Sequence, residues 1–413
     1  MKRLKYFIPL IIFAGLLSSG CREANKQAAS TSRPSIAVAD STLSTACPYL
    51  SHDTAGSPVL SWIQQKKDSG TPLVYYAVFQ DSSKTFGKPR AVPSTAGVEQ
   101  HGEDMPKIIF RKNGGILVVF SIKKPHPGNP YTAAVYYTGS SDGGAHWTPA
   151  RPLIKDSTKS FDQRYFDVAP LPGGAVGIIW LNNSEPSGST LYFATMKGNK
   201  GFEGEKIIGR HTCQCCRTDL LVDDSGRIHV AWRDIFRDSI RDMAYCYSND
   251  SGKTFSAPVR ISPDNWVVNG CPHTGPSMAV NKVGLHFSWF TMGGGGGVYY
   301  CHTDNNGISF STRQPVSQVP SARHPQMAAL PKGDLAIVWD EGVTSRDAFH
   351  QRVGLQMRGP GGLLLGTRYL TPDSLNAGFP QIRILDEREA LVAYTMYAKN
   401  RTQVRYRVIR LQP

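Results

Sequence analysis

The residues of this chain that could do chemistry fall in a few short stretches. "HTCQCCRTD", residues 211–219, sets three cysteines within four positions, flanked by a histidine, an arginine and an aspartate. "NGCPH", residues 269–273, adds Cys271 and His273. Three chemistries fit these sulfurs. They can pair as disulfides, for example between the CQCC stretch and Cys271. They can form a soft-metal site for copper or zinc, with His211, Cys213, Cys215, Cys216, Cys271 and His273 as ligands, because thiolates and imidazoles suit those ions. Cys215 and Cys216 can also form a strained redox pair. Copper or zinc is the one cofactor the sequence suggests. A second set is cationic: Arg164, Arg217 and Arg323, the last followed by His324. A planar guanidinium grips a carboxylate with two hydrogen bonds, so three that converge make an anion trap.

Both sets need a fold that gathers distant loops. Seven β-rich stretches end in an aromatic: Trp62, Phe120, Trp180, Trp232, Trp289, Trp339 and Tyr394, spaced 50 to 60 residues apart. Before most of them runs a strand closed by a glycine-bearing turn, and after each comes a third strand. A short fourth strand completes six of the seven. Four antiparallel strands per repeat describe a β-propeller blade. The chain is therefore expected to be all-β, one propeller of seven four-stranded blades, with six the alternative. The last unit reaches Pro413 without its fourth strand, which "PSIAV", residues 34–38, is placed to supply. Closing the ring in this way leaves no free sheet edge.

The repeat also sets a register. Pro325 precedes the turn glycine Gly333 by eight residues, and the same offset marks Pro48, Pro106, Phe166, Thr218 and Pro276; Pro380 holds the place in the last unit. Just before these points stand Ala46-Cys47, Asp104-Met105, Arg164-Tyr165, Cys216-Arg217, Thr274-Gly275, Arg323-His324 and Gly378-Phe379. Loops running into first strands converge on a propeller's axis, so all of these are expected at one mouth. Upstream of them lie His101, Glu103, Asp162, Cys213, Cys215, Cys271 and His273; downstream lie Asp167 and Asp219. Cys246 and Cys301 fall instead in third strands and read as small buried residues.

Between third and fourth strands, "SSDGGAHW" carries Ser140, Asp142, Gly144 and Trp147, and "SNDSGKTF" carries Ser248, Asp250, Gly252 and Phe255. "TDNNGISF", with Thr303, Asn305, Gly307 and Phe310, is a decayed copy, and "FQDSSKTF" keeps Asp81 and Phe86. These turns resemble the Asp-box, the BNR repeat of sialidase-like propellers. The resemblance implies a glycoside hydrolase that holds a sugar carboxylate with an arginine triad, here Arg164, Arg217 and Arg323 beside His324. It also implies a tyrosine nucleophile with a glutamate beside it and an acidic aspartate. Tyr165 and Glu103 would fill the first two roles, and Asp104 or Asp219 the third.

The chain opens "MKRLKYFIPLIIFAGLLSSGC", a basic start, a short apolar run and small residues before Cys21. Residues 1–20 read as a signal peptide, too short to span a bilayer. Cys21 resembles the lipidated cysteine of bacterial lipoproteins. Residues 21–33 then form the anchor and a polar tether, and 34–413 the propeller. Net charge is +14, spread along the chain, which favours anionic partners. No basic block with interleaved aromatics points to nucleic acid. The expectation is a monomeric lipoprotein of the cell envelope, touching membrane through its lipid alone. It would resemble an exo-sialidase-type glycoside hydrolase, acting on or binding an anionic glycan or another acidic small molecule through the arginine-rich pocket. The alternatives are a non-catalytic binding or assembly propeller, or a copper or zinc protein built on the CQCC and GCPH loops.

Overall fold

The structure is a computed structural model describing residues 34–411, apart from 67–69, 156–159, 185–187, 346–347 and 400. The stretch expected to be a signal peptide, Cys21 and the expected tether lie outside the described residues. Seven antiparallel sheets follow one another, six of them with their strands in sequence order from the axis outward. Their first strands are Leu43–His52, Lys107–Phe110, Gln163–Pro170, Asp219–Val222, Ser277–Val280, Arg323–Ala329 and Ala377–Ile384, which define blades 1 to 7. Each first strand touches those of both neighbouring blades, and the circle closes between Ala377–Ile384 and Leu43–His52. The chain is a seven-bladed β-propeller.

Closure is as the sequence predicts. Blade 7 holds Ala377–Ile384, Glu389–Ala398 and Arg401–Arg410, and its outer strand is Ile36–Ala37. Ile36 pairs with Tyr406 and Ala37 with Arg405, so the start of the propeller is sewn to its end.

The apolar residues sort into seven clusters, each between two adjacent blades. All seven anchor aromatics are fully buried there. Their strands are hydrophobic on both faces because each blade is covered on both sides by its neighbours. Cys246 and Cys301 lie at 0 % exposure in this packing, as their third-strand positions implied.

The Asp-box turns staple one blade to the one before. In blade 4 the Ser248 hydroxyl donates to Asp250 and accepts the Gly252 N–H at 3.0 Å, while Asp250 accepts the Thr254 N–H at 2.9 Å. These bonds hold the Asp250 carboxyl well below the usual range, the Thr254 side-chain bond contributing most. Phe255 meets Phe193 of blade 3 edge-on at 5.0 Å. Gly252 sits at φ +80°, where a Cβ would fall 2.2 Å from that same ring, so glycine is needed twice over. Blade 2 repeats the arrangement with Ser140, Asp142 and Trp147 against Tyr76. The decayed copy in blade 5 keeps it too, since the Asn305 amide oxygen accepts the Ser309 N–H at 3.0 Å.

Candidate functional site at the axial mouth

The register points derived from the glycine offset coincide with a backbone irregularity. Cys47, Tyr165, His324 and Phe379 have φ of 56°, 52°, 50° and 52°. Each first-strand ladder slips there, between Ala46 and Tyr49, Arg164 and Asp167, Arg323 and Gln326, and Gly378 and Gln381. Four non-glycine residues in the left-handed region, each costing on the order of 1 kcal/mol, form a ring of β-bulges around the mouth. One residue beyond each register point, side chains from adjacent blades lock the axis. Asp167 accepts the Leu220 N–H at 2.9 Å, Asp219 accepts the Met278 N–H, and Ser277 accepts the Met327 N–H at 3.0 Å.

The three arginines do not share one anion. Arg217, 4 % exposed, donates to Glu103 at 2.9 Å and to the carbonyl oxygens of Pro276 and Pro325. Glu103, 2 % exposed, also accepts the Gly275 N–H at 2.9 Å. Both groups are thus consumed in a buried tie between blades 2, 4, 5 and 6. Arg164 lies between Asp162 at 3.1 Å and Glu99 at 3.5 Å. Arg323 has no carboxylate partner among the described residues; its guanidinium lies 4.4 Å over the Phe290 ring, with one nitrogen 3.5 Å from the Pro272 oxygen.

Tyr165 is buried, with its ring edge-on to His101 at 5.6 Å, and His101 in turn lies 5.9 Å from the His273 ring. Burial, then the Asp104 charge, pushes the Tyr165 phenol far above its usual range. His101 accepts the Glu103 N–H on Nδ1, and burial lowers its pKa, so the ring is neutral. Asp104 takes bonds from the Tyr165 N–H at 2.8 Å and the Ser121 hydroxyl at 2.6 Å; burial raises its pKa nonetheless. Asp219 stands a level deeper, where burial and then the Asp167 charge lift it to about 7. His324 stacks on Phe379 at 4.0 Å and holds Asp340 at 2.7 Å. Burial alone would lower the His324 pKa, but the Asp340 charge and hydrogen bond outweigh it, and the net shift is upward.

The cysteine loops meet as expected. The sulfurs of Cys213, Cys215 and Cys216 lie within 4.8 Å of one another, and so do Cys215, Cys271 and a ring nitrogen of His273. No disulfide forms among the described residues; Cys213 stands 3.6 Å from Cys215 and 3.8 Å from Cys216, well beyond an S–S bond of about 2.05 Å. Hydrogen bonds from those two thiols, and then Arg233 and Arg241, hold the Cys213 thiol below its usual range. His211 is exposed and lies outside both groups. Arg233, in the charged link 231–242, was legible as a residue that reaches toward the pocket; Arg241 and Asp340 were not legible as partners of this mouth, although Asp340 directly follows the anchor Trp339.

A cleft between blades 2 and 3 opens beside the mouth, lined in part by Lys124, His126, Tyr136, Lys155 and Phe161. His126 stacks on Phe161 at 4.1 Å. The cleft lies on the mouth side, because His126 links the second and third strands of blade 2 and Phe161 leads into the first strand of blade 3.

Comparison with known proteins agrees with this architecture. Residues 65–269 match the BNR repeat-like domain. No curated protein matches the sequence. Among solved structures, an ulvan lyase, described as a new family of polysaccharide lyase bound to a GlcA(1-4)Rha3S unit, superposes with a TM-score of 0.58 at 10 % identity, covering 91 % of this chain and 96 % of that one. A protein of unknown function from Dyadobacter fermentans gives 0.54 at 11 % identity, over 93 % and 99 %. The NanB sialidase of Streptococcus pneumoniae gives 0.50 at 12 %, over 92 % and 70 %. The chain has the fold of sialidase-like β-propellers, and its residues 65–269 carry the BNR repeat-like domain.

Proposed function

We propose that this chain captures an anionic glycan at the axial mouth, as a cell-envelope lipoprotein anchored through Cys21. The observation that carries the reading is Arg323. Of the three arginines it alone lacks a carboxylate partner among the described residues, and Tyr165, His101 and His273 lie at the same mouth. A sugar carboxylate would supply the missing partner through a two-pronged contact. The neighbouring cleft continues the binding surface with Lys124 and Lys155 for further acidic groups and with the His126–Phe161 stack for a sugar ring. The net charge of +14 steers such chains toward the protein. The ulvan lyase and sialidase among the structural neighbours are named for anionic glycans, which supports the same ligand class.

Capture rather than sialidase-type hydrolysis fits the local chemistry. A tyrosine nucleophile must give up its proton, and Tyr165 is held protonated by burial and Asp104. Glu103, the residue that would assist it, is committed to Arg217 and the Gly275 N–H. The test is a panel of sialylated and uronate-containing oligosaccharides, measured for binding and for turnover with wild type, Arg323→Ala and Tyr165→Phe. The expected result is binding without turnover, weakened at least tenfold in Arg323→Ala. Turnover of a sialoside that is lost in Tyr165→Phe would overturn the capture reading in favour of hydrolysis. Absence of binding to every acidic glycan would overturn the ligand class.

A further inference from the structure

The three clustered cysteines converge without forming a disulfide. Cys213, Cys215 and Cys216 are 1 %, 4 % and 1 % exposed. Their sulfurs converge at 3.6 and 3.8 Å without bonding. Metal–sulfur bonds of about 2.3 Å separate two sulfurs on one ion by about 3.8 Å in a tetrahedron and about 4.0 Å in a flat triangle. The two separations from Cys213 are close to those of ligands that share one ion, and the third pair lies within 4.8 Å.

A second observation is electrical. The Arg241 guanidinium lies 3.1 Å from the Cys213 sulfur and donates to the Val268 oxygen at 2.9 Å. Arg233, 1 % exposed, spends its donors on the backbone oxygens of Arg241, Thr274 and Phe290, and it acts electrostatically on Cys213 as well. Neither arginine has a carboxylate partner among the described residues. The Arg241 guanidinium beside the Cys213 sulfur favours negative charge on the cluster. Metal-bound cysteines are thiolates.

We propose that Cys213, Cys215 and Cys216 form a buried Cu(I) site, with Cys271 and His273 as its outer relay. Soft thiolates select Cu(I) and Zn(II) among the common ions, and a closed zinc site takes four ligands where three buried sulfurs converge here. The relay follows from the sharing of Cys215. Its sulfur lies within 4.8 Å both of the buried pair and of the exposed Cys271 and His273 ligand atoms, which gives an ion a route inward from solvent. The inference is independent of the glycan reading, since it uses none of the residues assigned there except His273, and that only as an outer ligand.

The test uses the full chain, purified under reducing, oxygen-free conditions and titrated with Cu(I) buffered by a chromogenic chelator. The expected result is one copper per chain, with an X-ray absorption spectrum showing sulfur ligands, and at least a hundredfold weaker retention in Cys213→Ser and Cys216→Ser. Cys246→Ser, a buried cysteine elsewhere, should retain copper as wild type does, and circular dichroism checks that each variant folds. If the ligand variants do not fold, wild type alone still decides the matter. Copper should then protect Cys213, Cys215 and Cys216 from alkylation, mapped by mass spectrometry, while exposed Cys271 still reacts when only one equivalent is bound. Copper held no better than by the variants, no protection of the three thiols, or zinc retained in preference to copper would overturn the proposal.

Discussion

At the scale of single residues, the mouth is held by buried charges whose partners decide what each can do. The Arg217–Glu103 tie crosses from blade 4 to blade 2 with both side chains almost fully enclosed. Removing one member strands the other, so Glu103→Ala should cost about 3–5 kcal/mol in chemical denaturation, and Glu103→Gln clearly less, because the amide oxygen still accepts. Asp219 makes a pH prediction. The free aspartate titrates near 3.8 and Asp219 in the folded chain near 7, owing to burial and the Asp167 charge. Between those values the folded chain keeps a proton that the unfolded chain has lost, so stability falls as pH rises through the window. Asp219→Asn should flatten the stability profile between pH 4 and 7, seen by comparing denaturation midpoints across that range. The residue types at this mouth were legible, since six loops share one offset from their turn glycines and the seventh is placed by its similar sequence. Their pairings were not: nothing in the sequence tells Arg217 to reach Glu103 rather than Asp219, because the choice depends on which way a side chain leaves the first strand.

At the scale of elements, the Asp-box turns were readable because they are local; serine, carboxylate, glycine and aromatic all act within eight residues. The copy in blade 5 shows how little the chemistry must keep, as Thr303 and Asn305 reproduce the same hydrogen bonds with a hydroxyl and an amide. The bulges at Cys47, Tyr165, His324 and Phe379 were hidden, since cysteine, tyrosine and phenylalanine do not signal a left-handed backbone and one histidine signals it only weakly. A paired substitution separates strain from crowding. Gly56 stands at φ +85° with nothing within 4 Å of an added Cβ, whereas Gly252 at φ +80° has the Phe193 ring 2.2 Å from one. Gly56→Ala should cost about 1 kcal/mol for the backbone alone. Gly252→Ala should cost about 2–4 kcal/mol, the surplus coming from displacing Phe193 and loosening blade 4 from blade 3. Thermal or denaturant unfolding of the two variants side by side would check the difference.

At the scale of the whole molecule, a propeller is a ring of interfaces, and its seven apolar clusters leave no blade able to bury its faces alone. The ring was legible from the spacing of seven aromatics, and its closure from one missing strand at the end and one spare strand at the beginning. The closing strand is short, so the strength of the seal depends on a few bonds. Ile36 and Ala37 lie against Tyr406 and Arg405, the Val38 N–H reaches the Val404 oxygen at 3.1 Å, and Arg405 donates to the Ser35 hydroxyl at 2.9 Å and to the Ser35 carbonyl oxygen. At about 0.5–1.5 kcal/mol each, such bonds together contribute a few kcal/mol. The residues removed with them are mostly part-exposed, so little apolar burial is lost. A chain beginning at Asp40 should therefore still fold, with the same far-ultraviolet spectrum and a lower unfolding midpoint. It would also bare the outer edge of Arg401–Arg410, a ten-residue strand whose freed backbone groups can pair with another chain. Size-exclusion chromatography over a concentration series should then show self-association in the shortened chain and not in the full one. An unchanged midpoint with no association would mean that the ring is held by its interblade cores alone.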